Sequence, residues 1–290
     1  INIFCFPKKG AYYAYMMNKY GKVISGLKVA VVGGRGYAGL ELVKLLQQHP
    51  AVELRACFST SEEFNFSDYL PMQAARGITV LEINKLNDWV HELDTVFLAT
   101  PPEVSMELAP RLIKARVNVI DLSGAFRLEK QTDYEQYYGF KHPCPELLKK
   151  AYYGLVPWNE FPVIKDLPAL IANPGCYATA AMMALIPLLK RNLISADNIV
   201  IDAKSGTSGG GRKPAENLLF TEVEGECLPY KIGRHQHLPE IKQFTKAYSG
   251  KVIDPAFTTH LLPIRRGILA SIYANLNPEV SGKEITAAYC

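Results

Sequence analysis

The chain of 290 residues is 48% hydrophobic and 21% charged, an ordinary globular composition with length enough for two domains and a large core. Its 32 Lys and Arg against 28 Asp and Glu give a net charge of +4 with no basic block, which argues against a nucleic-acid partner while tolerating an anionic ligand. Its six cysteines (Cys5, Cys57, Cys144, Cys176, Cys227 and Cys290) form no C-x-x-C pair and are too spread for a small disulfide scaffold, and no apolar run approaches the ~20 residues of a membrane helix, so a reduced, cytoplasmic protein without a membrane partner is expected.

Residues 1–26 lack a charged start followed by an apolar core, and they lack arginine. They read neither as a secretory signal nor as a transit peptide and are taken as an extension of unknown role. From Leu27 the pattern becomes regular. The run LKVAVVGG predicts a buried strand, and GLELVKLLQQHP a helix stopped by Pro50. VELRACFS is a second strand, and DTVFLAT a third, cut off by Pro101 and Pro102. A helix over EVSMELAPRLIKARV, with an interruption expected at Pro110, leads to the strand VNVIDLS. Strands alternating with helices predict a parallel sheet covered on both faces. The stretch from Gln131 to Leu170, rich in Tyr and Pro, reads as loops, short strands and the crossing into a second domain. Beyond it, NIVIDAKSGTSGGGR predicts a strand and a glycine-rich loop, LPEIKQFTKAY a helix with Pro239 in its first turn, and FTTHLLPIRRGILASIYANL two extended segments around a turn.

Gly33, Gly36 and Gly39 follow the first strand and open the first helix with spacing G-x-x-G-x-x-G. In that context the glycines allow a tight turn, and the helix N-terminus can receive a phosphate. An NAD site usually carries an acid at the end of the second strand. Ser59 and Thr60 stand there instead, with Arg35 inside the turn, which favours NADP; Glu62 and Glu63 are the nearby competitors. Cys176 follows the turn Asn173-Pro174-Gly175 and falls at the first turn of an apolar helix, where N–H groups and the helix dipole favour a thiolate. His235 and His237 could hold that thiolate and move protons, and Glu240 could orient an imidazole. The H-x-H pair could alternatively bind metal, although no further His/Cys cluster completes such a site. Arg127, Arg212, Arg265 and Arg266 together suit a doubly anionic substrate.

The segments GGRGYAG, DLSGAFRL, NPGCYATA, KSGTSGGGRK, GRHQHLPEI and LLPIRRGI occur in this order, and together they resemble the N-acetyl-gamma-glutamyl-phosphate reductase family, itself similar to aspartate-semialdehyde dehydrogenases. The resemblance implies an α/β protein: a Rossmann-type dinucleotide-binding domain over 27–174 and an α+β catalytic and dimerisation domain with a mixed sheet over 175–290. By the same resemblance, Cys176 is the nucleophile and His237 the acid/base, with His235 as its rival. Arg127, Arg266, His235 and Glu240 are substrate ligands, and Gly33, Arg35, Gly36, Tyr37, Gly39, Ser59, Thr60, Ser208, Gly209 and Gly210 hold NADP. The implied reaction is NADPH-dependent reduction of an acyl phosphate through a cysteine thioester, in a homodimer or tetramer. Relatives continue past KEITAAYC with further strands and a last helix, so the second sheet is expected to be incomplete at the C-terminus. A sister reductase acting on aspartyl or N-acetyl-aminoadipyl phosphate, or a non-catalytic nucleotide-binding protein on the same fold, remain open.

Overall fold

The computed structural model describes residues 26–60, 64–70, 77–156, 158 and 168–290, and the backbone alone of 2–8 and 11–17. Within the stretch read as an extension, β1 (Asn2–Lys8) and β2 (Ala11–Met17) pair antiparallel, with Cys5 opposite Ala14. The chain divides into two compact units, 1–127 with 143–173, and 128–142 with 174–290.

The first unit is built on a seven-stranded sheet in the order β5-β4-β3-β6-β7-β9-β8. The strands are β3 (Leu27–Val32), β4 (Val52–Ser59), β5 (Val80–Glu82), β6 (Thr95–Leu98), β7 (Asn118–Asp121), β8 (Tyr152–Tyr153) and β9 (Leu170–Ala172). Every neighbouring pair is parallel. Strands buried on both faces read as continuous apolar runs. Val29, Ala30, Val31 and Val32 are accordingly all at most 1% exposed. Helices α1 (Tyr37–Gln47) and α2 (Pro102–Lys114) make the crossovers from β3 to β4 and from β6 to β7. The chain leaves β3 first towards β4 and then returns to β6 on the other side, and at such a reversal an open α/β sheet leaves a crevice beyond its strand ends.

Pro110 does not interrupt α2. Its ring nitrogen cannot donate to the carbonyl of Met106, and the Cys144 thiol lies 3.9 Å from that oxygen instead. Met106, Leu108, Ala109 and Leu112 bury the face that keeps the helix whole.

The second unit has a mixed sheet in the order β11-β12-β10-β13, formed by β10 (Val200–Gly206), β11 (Leu228–Pro229), β12 (Ala256–Leu262) and β13 (Ile268–Tyr273). The pair β10/β12 is parallel, and β10/β13 and β11/β12 are antiparallel. Along β10, Ile201, Ala203 and Ser205 point to the buried face, while Asp202 and Lys204 alternate to the other, where Asp202 meets Lys204, Thr258 and His260. The core helix is α4 (Cys176–Lys190), whose Ala178, Ala181, Met182, Ile186 and Leu189 are fully buried. It packs on α5 (His237–Ser249), which ends at Gly250 in the left-handed conformation.

Residues 128–142, placed by the sequence within 27–174 and read from Gln131 as loops, short strands and the crossing into a second domain, pack with the second unit and carry the helix α3 (Gln131–Tyr137). An aromatic group fixes them there. Tyr134 is fully buried, its hydroxyl accepts from the Leu128 N–H at 3.1 Å, and its ring lies 4.8 Å from that of His142. The Glu129 N–H also donates to Gln243 Oε1 on α5 at 3.1 Å. Among the described residues no helix is long and apolar enough to cross a membrane.

Candidate active site

In the first unit the turn after β3 depends on two of its glycines. Gly33 has φ +85°, and a Cβ there would come within 2.4 Å of the Ala99 carbonyl oxygen. A Cβ on Gly39 would lie 2.3 Å from the Gly33 oxygen and 2.8 Å from Gly34 Cα, so this glycine lets α1 start directly on the turn. Gly36 is the N-cap of α1, with no side-chain capping bond and no acidic residue in the first turn, which leaves the helix start receptive to an anion. The Gly33 N–H donates to the Phe58 carbonyl at 3.0 Å, placing the turn beside Ser59 at the end of β4. Ser59 is buried, while Thr60 and Arg35 are exposed. The competing acids Glu62 and Glu63 lie outside the described residues.

Also in this unit, the motif DLSGAFR forms a buried polar knot. Asp121 is fully buried at the end of β7 and accepts from Ser105 Oγ (2.7 Å), the Ser123 N–H (3.0 Å) and Ser123 Oγ (2.8 Å). Burial pushes its pKa up, against those hydrogen bonds and the charge of Arg127. Arg127, expected as a substrate ligand, is itself buried; its Nε donates to the Asn173 carbonyl and its Nη2 to the Leu122 carbonyl, each at 2.7 Å. The Asn173 N–H donates in turn to the Asp121 carbonyl at 2.8 Å.

In the second unit Cys176 is the first residue of α4 and is exposed. Its predecessor Gly175 is the N-cap; its carbonyl accepts from the Thr179 N–H and Oγ1, each at 2.8 Å, and its N–H donates to Glu240 Oε1 at 2.7 Å. Glu240 Oε2 is 4.0 Å from His237 Nε2. His237 opens α5 and is buried, as is His235. The two imidazoles meet edge to face at 4.8 Å. They do so across a turn and not across extended backbone, since Gln236 is helical, and His235 Nδ1 accepts the His237 N–H at 3.1 Å. The Tyr177, Tyr230 and Phe257 rings enclose His235 at 5.4, 5.6 and 5.5 Å. Burial, then the neighbouring His237 and Lys231, push its pKa down to about 3.

Tyr177, Tyr230 and Ser205 were not singled out from the sequence, although Tyr177 adjoins Cys176. The Tyr230 hydroxyl donates to that of Tyr177 at 2.9 Å, and Ser205 also bonds Tyr177. Burial raises both phenols, with the Cys176 charge adding to the shift. A Cβ on Gly209 would lie 2.8 Å from Ser205 Oγ, so the glycine-rich loop of Ser208, Gly209 and Gly210 folds back onto this cluster. That loop is joined to the Arg265–Arg266 turn: the Thr207 and Ser208 N–H groups donate to the carbonyls of Ile264 and Arg265 at 2.9 and 3.1 Å. Within this unit the fold therefore gathers Cys176, His235, His237 and Glu240, and it ties the glycine loop to the turn bearing Arg266.

Comparison with known proteins agrees with both halves. Residues 28–165 match the family model described as the semialdehyde dehydrogenase NAD binding domain, and 176–290 match the semialdehyde dehydrogenase dimerisation domain. The chain is 42% identical over 264 residues to an N-acetyl-gamma-glutamyl-phosphate reductase from Geobacillus sp. (strain WCH70), covering 91% of this chain and 76% of that one. It is 41% identical over 265 residues to the reductase of the same name from Bacillus cereus (strain AH187), with the same two coverages. The crystal structure of aspartate semialdehyde dehydrogenase II from Vibrio cholerae shares the fold at a TM-score of 0.66 and 16% identity, over 91% of this chain and 78% of that one. The chain belongs to the N-acetyl-gamma-glutamyl-phosphate reductase family, within the semialdehyde dehydrogenases.

Proposed function

We propose that this protein reduces N-acetyl-gamma-glutamyl phosphate to N-acetyl-glutamate semialdehyde and releases phosphate, the conversion for which its relatives are named. The observation that carries the reading is an exposed cysteine at the first position of α4, on a turn braced by Glu240 beside His237. A helix N-terminus favours the thiolate, the nucleophilic form of cysteine.

Cys176 Sγ attacks the acyl carbon, the C–O bond to phosphate breaks, and a thioester forms; one hard step becomes two easier ones. A bound nicotinamide supplies the hydride that takes the thioester to the aldehyde level. The thiohemiacetal then collapses, its C–S bond breaking to release the aldehyde and regenerate the thiol of Cys176. His237 is the group that moves protons in these steps. His235, held neutral to about pH 3, suits a hydrogen-bonding role towards the substrate and not that of acid/base. Arg266 supplies positive charge for the anionic groups of the substrate, whereas Arg127 is engaged by the backbone carbonyls of Asn173 and Leu122.

NADP is the cofactor these residues fit. Gly33, Gly36 and Gly39 admit a pyrophosphate at the α1 N-terminus, with Tyr37 in its first turn. Arg35, Ser59 and Thr60 suit a 2′-phosphate better than a carboxylate would. Ser208, Gly209 and Gly210 form the second contact. By this reading the first unit is the NADP-binding part, and the second is the catalytic and dimerising part of a homo-oligomer. An exposed nucleophilic thiol suits a reducing compartment, the cytoplasm.

The test runs the reaction backwards with NADP, phosphate and N-acetyl-glutamate semialdehyde, with aspartate semialdehyde in parallel. NADPH should form with the first aldehyde. Turnover with aspartate semialdehyde alone would reassign the substrate, and none with either would remove the reductase reading.

A further inference from the structure

Glu240 has no access to solvent, yet it carries a carboxylate, and a buried carboxylate is costly unless hydrogen bonds and charge compensate it. Its Oε1 takes the Gly175 N–H at 2.7 Å, and its Oε2 faces His237 Nε2 at 4.0 Å. The bond to Gly175 spans 65 residues of sequence and joins the α5 N-terminus to the residue before Cys176. Gly175 has φ −68°, open to any residue, so its backbone conformation does not call for glycine. Packing does: a Cβ there would come 2.4 Å from His237 Nε2, 2.7 Å from His237 Cδ2 and 2.8 Å from Glu240 Oε2. The imidazole is thus pressed onto the Gly175 backbone, with Glu240 from α5, His235 from the preceding turn and Tyr177 from α4 around it.

We infer that Glu240 is a positioning residue that clamps the turn bearing Cys176 to His237, and is not a ligand of the substrate. Gly175 is the other half of the clamp, since only a glycine lets the ring and the carboxylate approach. The inference rests on Cys176 being the nucleophile, as proposed above.

The test compares Glu240→Ala, Glu240→Gln and Gly175→Ala with the unaltered chain, each checked for folding by circular dichroism. Two readouts are taken: the rate of Cys176 alkylation by iodoacetamide at pH 7, and kcat and KM in the reverse reaction. Glu240→Ala should lower kcat about 100-fold with KM within about threefold, because a misplaced reacting group costs rate and not uniform binding. Its alkylation should slow ~10-fold. Glu240→Gln, whose amide oxygen still accepts the Gly175 N–H, should recover to within about 10-fold of the unaltered kcat. Gly175→Ala should resemble Glu240→Ala. A KM that rises while kcat holds would make Glu240 a substrate ligand and overturn the inference. So would alkylation and turnover at the unaltered rate in Gly175→Ala, which decides the matter even if Glu240→Ala does not fold. Alkylation needs neither substrate nor cofactor, so failure of the assigned reaction leaves this test standing.

Discussion

At the scale of single residues, two histidines two positions apart have different surroundings. His235 sits in an aromatic cage of Tyr177, Tyr230 and Phe257, with its Nδ1 already accepting the His237 N–H. His237 lies against Gly175 and faces Glu240. The residues alone leave both as candidates and the family resemblance puts His237 first; burial and partners supply a physical difference between the two. The cage has a measurable consequence for stability. Folded His235 stays neutral down to about pH 3, whereas an unfolded imidazole takes up a proton near 6.5. Between those values the unfolded chain binds more protons, so stability is full above pH 6.5 and is lost progressively as pH falls. From pH 7 to pH 5 the loss from this residue should be about 2 kcal/mol. Denaturant melts of the unaltered chain and of His235→Gln, at both pH values, check it: the variant should lose less stability on acidification. Equal losses in the two proteins would refute the role of the cage.

At the scale of elements, the residues of the proposed site sit where a strand or turn hands over to a helix. The first case is the β3–α1 turn, where Gly36 caps without a side chain and Arg35 stands exposed beside it. An arginine hydrogen-bonded to a phosphate contributes roughly 1.5–3 kcal/mol. Arg35→Ala should therefore raise the NADP Kd about 10-fold to 100-fold and leave NAD binding unchanged, as titration calorimetry would show; equal weakening of both would mean that Arg35 does not read the 2′-phosphate. The second case is the start of α4, where the turn ends at the cysteine. Both handovers were legible, because glycine and proline punctuate them and valine-rich runs precede or apolar runs follow. Strands β3, β4, β6 and β7 were legible as short apolar runs bounded by turn residues. What could not be read was set by distant partners. The Pro110 signal for a break is outweighed by the buried face of α2. The helix Gln131–Tyr137 owes its place to Tyr134, whose burial no local pattern announces. The short β5 owes its existence to pairing with β4. Glu240, read from the sequence as able to orient an imidazole and by resemblance as a substrate ligand, makes a bond to Gly175 across 65 residues that no local pattern announces.

At the scale of the molecule, the proposed cofactor turn and the proposed nucleophile belong to different units. The glycine turn, Arg35, Ser59 and Thr60 belong to 1–127, and the cysteine, both histidines and Glu240 belong to 174–290. Each cluster is braced from inside its own unit: Gly33 by Phe58 and Ala99, Gly175 by Thr179 and Glu240. Damage to one should therefore spare the other. In Gly39→Ala the new Cβ meets the Gly33 carbonyl at 2.3 Å, so α1 must shift off the turn, and NADP affinity should fall at least about 10-fold. Alkylation of Cys176 in this variant should keep its rate, because nothing in 174–290 has been touched. Cys176→Ser should do the reverse: turnover should drop by at least about 10³-fold, as expected when a nucleophile is removed, while NADP binds as before. Binding NADP should still raise the Tm of that variant, since a ligand at 100 times its Kd adds about 2.7 kcal/mol to the folded state. Loss of cysteine reactivity in Gly39→Ala, or of NADP binding in Cys176→Ser, would show that the two parts are not independent and that each unit needs the other's site intact to hold its own.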